Sequence, residues 1–96
     1  MAYPERKSHT ISVTTSAVDY YCPTDSDGLV ALKNIGANAI WVNHLQGSAA
    51  ALEGANCEPI LAGETVYVYW RGPGVPYSLI AATGTTKLVM TAALSR

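Results

Sequence analysis

The sequence has few charged residues. Asp, Glu, Lys and Arg make up 14% of its 96 residues, whereas about a quarter is usual in a soluble domain. The surface must therefore consist largely of Thr, Ser, Ala, Gly and Tyr. Charged groups are the most costly to bury at an interface, so such a surface is easily desolvated. Together with six Tyr and two Trp, this favours a protein that lies against copies of itself or against another surface.

Clusters of basic residues and long apolar runs are also missing. The formal net charge is −1, and the six Lys and Arg are spread along the chain, which argues against binding to a phosphate backbone. No stretch approaches the roughly 18 apolar residues that span a bilayer, and Met1 to Ser8 is too polar to begin a secretory signal. We expect no nucleic-acid or membrane partner and an intracellular site of synthesis.

Residues for catalysis or metal binding are scarce. Cys22 and Cys57 are the only thiols, and we expect them to be reduced, with a disulfide as the alternative. With His9 and His44 they show neither the C-x-x-C nor the H-x-x-x-H spacing of a local metal site. No G-x-S-x-G elbow or phosphate-binding glycine loop is present. The sequence therefore predicts no enzyme, no cofactor and no metal.

Short apolar segments separated by turn residues are present instead. Between Leu29 and Val42, two apolar runs flank a break at Gly36 to Asn38, which predicts a β-hairpin because Gly and Asn tolerate positive φ. Without a credible helix, the whole pattern predicts an all-β fold, a small antiparallel β-sandwich of seven or eight strands with immunoglobulin-like or jelly-roll-like connections. Other predicted strands include Thr10 to Val18, Thr65 to Trp70, Tyr77 to Ala82 and Thr86 to Leu94.

The chain is predicted to have one domain and one arm. Residues 1–9 are polar and lack periodicity, so we expect a flexible N-terminal arm that either frays or reaches a neighbouring subunit. Residues 10–96 form the single β-sandwich domain.

Two segments are candidate contact surfaces. In the strand from Thr65 to Trp70 the valines are expected to face inward, leaving Tyr67 and Tyr69 with Arg71 on the outside. The connection from Asn43 to Asn56 is long and predicted to be exposed, and long loops in compact domains are often functional. Exposed aromatic side chains would also suit stacking on sugars, although core Trp and edge Tyr residues explain the same pattern.

Three segments resemble one family. They read L-K-N-I-G-A-N-A-I-W-V at Leu32 to Val42, P-I-L-A-G-E-T-V at Pro59 to Val66, and A-T-G-T-T-K-L-V-M at Ala82 to Met90. The chain resembles small β-rich structural proteins of tailed bacteriophages, especially head decoration or cement proteins. The segments follow the family's order and span roughly Asp27 to Leu94, while Met1 to Tyr21 has no match.

The resemblance implies a non-enzymatic virion protein that binds the outer capsid surface and bridges coat subunits. Its partners would be the major capsid protein or another virion protein and further copies of itself, with a trimer favoured. A tail, head-tail connector or fibre protein is the alternative, and a carbohydrate-binding adhesin module is a second one. The residues expected to bind partners are Tyr3, Pro4 and Arg6 in the arm, Tyr67, Tyr69 and Arg71 on the outer sheet face, and Leu52 and Glu53 in the long loop.

Overall fold

The computed structural model describes residues 6–23, 28–72 and 74–93, without the side chains of Arg6 and Ala93. This part of the chain is all β and contains no helix. The prediction of an antiparallel β fold with seven or eight strands is therefore confirmed. The eight strands are β1 (Arg6–Val13), β2 (Val18–Tyr20), β3 (Gly28–Asn34), β4 (Ile40–Asn43), β5 (Cys57–Ile60), β6 (Thr65–Trp70), β7 (Tyr77–Ala81) and β8 (Thr86–Ala93).

The strands form two four-stranded sheets. The first sheet has the order β1-β8-β3-β6, and the second has the order β2-β7-β4-β5. Strands pair in a nested order from the two ends of the sequence toward its middle. β1 pairs with β8, β2 with β7, β3 with β6 and β4 with β5, all antiparallel. This is the jelly-roll arrangement, in which one long nested hairpin is rolled into two sheets, and not the immunoglobulin order.

The core lies between the sheets and is built from alternate residues of each strand. Val68, Trp70, Leu88 and Met90 are almost fully buried, as their alternation in the sequence predicts. Trp70 packs edge-on against Tyr77 of the other sheet, with ring centroids 4.8 Å apart. Large side chains from both sheets therefore meet in one apolar layer.

The predicted hairpin between Leu29 and Val42 is wrong. β3 pairs with β6 and β8 in the first sheet, whereas β4 pairs with β5 and β7 in the second. Residues 35–39 therefore cross from one sheet to the other. Neither Gly36 nor Asn38 has a positive φ. Glycine is needed at position 36 for space, because a Cβ there would lie 1.7 Å from the side-chain oxygen of Thr86.

Asn34 holds this crossing in place. Its fully buried side-chain amide donates to the carbonyl oxygens of Asn38, at 2.7 Å, and of Ile60, at 2.8 Å. Its oxygen accepts a hydrogen bond from the N–H of Gly36 at 2.9 Å. Because Asn34 belongs to the first sheet and Ile60 to the second, this one side chain joins both sheets to the crossing loop.

The first strand is longer than predicted. β1 begins at Arg6 rather than at Thr10, and Lys7 and His9 lie opposite Ala92 and Met90 of β8. Arg6 to His9 are therefore strand residues, not part of a flexible arm as predicted. The reason is that β8 extends far enough to supply main-chain partners, which local polarity does not reveal. Residues 1–5, which include Tyr3 and Pro4, lie outside the described residues.

Replacing Asn34 with Ala should lower the free energy of unfolding by about 3 kcal/mol, because three backbone groups lose their buried partner. Asn38→Ala is the matched control, since its side chain makes one exposed hydrogen bond to the carbonyl oxygen of Thr83, and it should cost only about 1 kcal/mol. Urea unfolding of the three proteins measures the difference. Equal losses in both variants would contradict the role given to Asn34.

Gly36→Ala should lower the free energy of unfolding by about 2 to 3 kcal/mol, because the new methyl group overlaps Thr86 and meets the Lys87 nitrogen at 3.0 Å. Gly74→Ala is the control, since no atom lies within 4 Å of a Cβ at that position and its φ is not positive. Its effect should stay within about 0.5 kcal/mol. Thermal unfolding that ranks the two variants alike would show that the crossing tolerates a side chain.

Candidate docking surface

The outer face of the first sheet is the candidate site, and we call it the tyrosine face. It consists of the residues that alternate with the core positions of the four strands. In the strand register Tyr69 lies opposite Leu29, and Tyr67 lies opposite Ala31. Ala31 in turn lies opposite Thr91. From one edge to the other, the face contains Thr65, Tyr67 and Tyr69 of β6, Leu29, Ala31 and Lys33 of β3, Lys87, Val89 and Thr91 of β8, and Ser8, Thr10 and Ser12 of β1.

Three large apolar side chains on this face are exposed. The exposed fraction is 61% for Tyr67, 56% for Tyr69 and 57% for Leu29. The prediction that the two tyrosines face outward is confirmed. Arg71 is exposed just after β6, and its guanidinium carbon lies 5.9 Å from the centre of the Tyr69 ring, within the range of a cation–π contact. The structure thus places Tyr67, Tyr69 and Arg71, three of the predicted site residues, together.

The charge on the tyrosine face has one sign. Lys33 and Lys87 lie on it and Arg71 lies beside it, whereas none of its residues is acidic. Among the described carboxylates, Asp19 and Glu58 belong to the second sheet, and the others lie in connecting loops. The face is therefore aromatic and basic, which suits a neutral or acidic partner surface.

The outer face of the second sheet is partly covered by the chain itself. The connection between β4 and β5, which we call the tip loop (residues 44–56), folds back over it. Ala50 is buried and donates its N–H to the hydroxyl of Ser78 at 2.8 Å. Asn43 donates its side-chain N–H to the Ala49 carbonyl oxygen at 2.8 Å. Only the first sheet therefore leaves a broad face without a covering loop in the described part of the chain.

Most residues of the tip loop are exposed, as predicted, but the loop is also anchored on the second sheet through buried Ala50. Leu52 remains 47% exposed, and Glu53 next to it has a φ of 55°, which a non-glycine residue rarely adopts. Because the tip loop packs on the second sheet, the structure does not bring these two predicted contact residues together with the tyrosine face. Of the remaining predicted site residues, Arg6 is described only by its backbone, in β1.

Two side chains that sequence reasoning missed support the end of β6. The Gln46 amide donates to the Arg71 and Val75 carbonyl oxygens, both at 2.7 Å, and accepts from the Arg71 N–H at 3.2 Å. The Tyr77 hydroxyl donates to the Tyr69 carbonyl oxygen at 2.9 Å. No local pattern marks Gln46 in the sequence, because its role depends on the tip loop returning beside β6.

The two tryptophans do not contribute to the tyrosine face. Trp70 is fully buried and donates its indole N–H to the Val75 carbonyl oxygen at 2.7 Å. Trp41 is half-buried in β4 of the second sheet. Of the aromatic residues considered for sugar stacking, Tyr67 and Tyr69 are therefore the pair that the first sheet exposes.

Polar groups elsewhere form only small clusters. His44 and Glu58 form an exposed pair, with their side-chain atoms 2.5 Å apart. The described residues contain no group of three or more His, Cys, Asp or Glu that could hold a metal ion. Cys22 and Cys57 are half-buried and are not joined by a disulfide. In the same part of the chain, no helix is long and apolar enough to cross a membrane.

Replacing Tyr77 with Phe should change how stability depends on pH. Burial raises the pKa of Tyr77 above its ordinary value of 10.0, and Arg71 lowers it in part. The folded state therefore favours the neutral phenol of Tyr77. Its contribution to the free energy of unfolding is complete below pH 10.0, the ordinary pKa, and is lost as the pH rises through the higher pKa of the folded state. In urea unfolding above pH 10.0, the wild type should lose stability more steeply than Tyr77→Phe. Equal slopes would contradict this.

Comparison of the chain with protein-family models, with curated proteins and with solved structures found no match.

Proposed function

We propose that the chain is a structural protein of a bacteriophage virion, a head decoration or cement protein that binds the outer capsid surface through the tyrosine face. The observation that carries this proposal is the exposure of Tyr67, Tyr69 and Leu29 on adjacent strands of a sheet face that contains no carboxylate. A face of this kind is easily desolvated and combines the aromatic and basic residues enriched in interfaces. The resemblance of the three segments supplies the phage setting.

The three resembling segments themselves serve the fold. Their turns all lie at the same end of the sandwich, where the Gly63 N–H donates to the Asn34 carbonyl oxygen at 2.8 Å. In the same region, Asn38 donates to the Thr83 carbonyl oxygen at 2.7 Å. Within this chain the three segments therefore have a structural role, and their turns do not themselves indicate a capsid partner.

Binding through the tyrosine face would cost little conformational entropy. Tyr67 and Tyr69 project from a hydrogen-bonded strand, and each has only two side-chain dihedral angles to fix. A contact of this size would bury under about 1,200 Å², the range of weak interfaces. Many copies on one shell, each touching neighbouring coat subunits, would raise the total affinity through effective concentration. Bridging of this kind would hold an expanded shell against the pressure of packed DNA.

The basic residues around the tyrosine face would select the partner surface. Lys33, Lys87 and Arg71 would favour a coat surface with acidic or neutral residues and would oppose a basic one. These side chains are exposed, so their contribution would be screened by salt, whereas the aromatic contribution would persist. Tight binding at high salt would therefore point to the tyrosines as the main source of affinity.

Sugar binding is the second candidate, because Tyr67 and Tyr69 offer exposed rings at alternate positions of one strand. A sugar-binding module should change its intrinsic fluorescence on addition of its ligand and should give a signal on a glycan array. The remaining alternative is a tail, connector or fibre protein. Such a protein would be found on purified tails and be absent from heads, whereas a decoration protein would be found on heads.

Sedimentation with expanded, undecorated capsids of the phage that encodes the chain tests the proposal. The wild type should sediment with the shells at micromolar concentration. The double variant Tyr67→Ala/Tyr69→Ala should bind at least about tenfold more weakly, because truncation of a central interface aromatic usually costs more than 1 kcal/mol. Leu52→Ala is the control, since it removes a similarly exposed apolar side chain from the tip loop, and should bind like the wild type.

Two results would count against this proposal. A wild-type protein that stays in the supernatant at micromolar concentration would exclude capsid decoration. A double variant that binds as tightly as the wild type, with loss of binding in Leu52→Ala, would move the docking surface to the tip loop.

A further inference from the structure

The free edge of β6 lacks the features that protect other sheet edges. Edge strands are usually kept from pairing with other chains by charge, proline or short length. β1 begins with basic residues, β5 contains Glu58 and Pro59, and β2 has only three residues. β6 has six residues, Thr-Val-Tyr-Val-Tyr-Trp, without charge, proline or glycine. Among the four sheet edges of the described chain, β6 is the one open to pairing.

Main-chain contacts show which residues of β6 face the free edge. The Glu64 carbonyl oxygen accepts from the Asn34 N–H of β3 at 3.0 Å, so residue 64 points toward β3. Arg71 instead has both its N–H and its carbonyl oxygen bonded to Gln46, away from β3. Because direction alternates along a strand, Val66, Val68 and Trp70 point toward β3. The backbone groups of Thr65, Tyr67 and Tyr69 point outward.

The fold closes only one end of this edge. Gln46 occupies both outward groups of Arg71, and the Tyr77 hydroxyl donates to the carbonyl oxygen of Tyr69. The outward N–H and C=O groups of Thr65 and Tyr67, and the N–H of Tyr69, have no protein partner in the described structure. These groups form a short, uncapped segment centred on Tyr67.

We propose that β6 pairs antiparallel with β6 of a second copy of this chain, about a two-fold axis at Tyr67. Tyr67 then lies opposite the partner's Tyr67, and Thr65 lies opposite the partner's Tyr69. These pairs join the outward-facing groups in about six main-chain hydrogen bonds. The Tyr69 carbonyl oxygen accepts a second bond in addition to that from Tyr77, which the two lone pairs of a carbonyl allow.

The chemistry of β6 fits a second copy. In this register the outer-face tyrosines meet each other across the axis, and Val66 lies opposite the partner's Val68 on the core side. No charged residue is opposed by a like charge, because the strand has none. A two-fold contact uses the same patch on both copies, so it closes and does not propagate into a fibre. In the dimer, the free edge of β6 is paired in both copies.

Pairing of this kind goes beyond docking on a capsid and does not depend on it. It would join the two first sheets into one eight-stranded sheet, with both tyrosine faces on the same side. The area of a single edge contact is small, so the dimer should dissociate on dilution. A two-fold pair also differs from the trimer that the family resemblance implies.

Analytical ultracentrifugation combined with a charge exchange at Tyr67 tests the pairing. The wild type should shift from monomer toward dimer as its concentration rises to about 1 mM, as expected for a small interface. Tyr67→Lys and Tyr67→Glu should each remain monomeric, because like charges would face each other across the axis. An equimolar mixture of the two variants should form a heterodimer, detected by native mass spectrometry. The side chain is exposed, so both variants should fold, and circular dichroism checks this.

Leu29→Lys and Leu29→Glu provide the control. Leu29 is as exposed as the tyrosines but lies one strand inside the edge, so both variants should dimerise like the wild type. A wild type that remains monomeric throughout, or that assembles as a trimer, would overturn the proposal. So would a mixture of the two Tyr67 variants that stays monomeric while the wild type dimerises, or loss of the dimer in the Leu29 variants.

Discussion

The buried amide of Asn34 is the interaction on which the arrangement of this chain depends. By bonding the crossing loop and the carbonyl oxygen of Ile60 at once, it holds β3 in the first sheet while β4 passes into the second. In that sheet β3 pairs with β8 on one side and with β6 on the other, which leaves β6 at the edge. Tyr67 and Tyr69 point outward because they alternate with Val68 and Trp70, which are buried in the core.

The two faces of the sandwich then have different surroundings. The tip loop lies over the second sheet and buries Ala50 against Ser78, whereas the first sheet keeps its tyrosines, Leu29 and two lysines in solvent. A folded chain with few charges exposes some apolar surface by necessity. Three of the ten large apolar side chains exposed in the described residues, Tyr67, Tyr69 and Leu29, lie together on the first sheet next to an unprotected edge, and a cluster of this kind suits contact with another protein surface.

Alternation of apolar and polar residues was enough to predict β6, its buried Val68 and Trp70, and its outward Tyr67 and Tyr69. The hairpin was predicted wrongly because a Gly-Ala-Asn break suits a turn within a sheet and a crossing between sheets equally well. The difference lies in distant partners, since Gly36 is required by its approach to Thr86. For the same reason the site was only partly predicted. Lys33 and Lys87 join the tyrosine face through the strand register, and Gln46 reaches Arg71 through the folded tip loop.

If the tyrosine face is covered in the native assembly, its tyrosines should be protected there from chemical labelling. In the dilute free protein, Tyr21, Tyr67 and Tyr69 should all react, because each is more than half exposed. On intact virions, Tyr67 and Tyr69 should be protected, while Tyr21, which follows β2 of the second sheet, should keep its reactivity. Equal reactivity of Tyr67 and Tyr69 in the free and the assembled protein would show that this face is not covered.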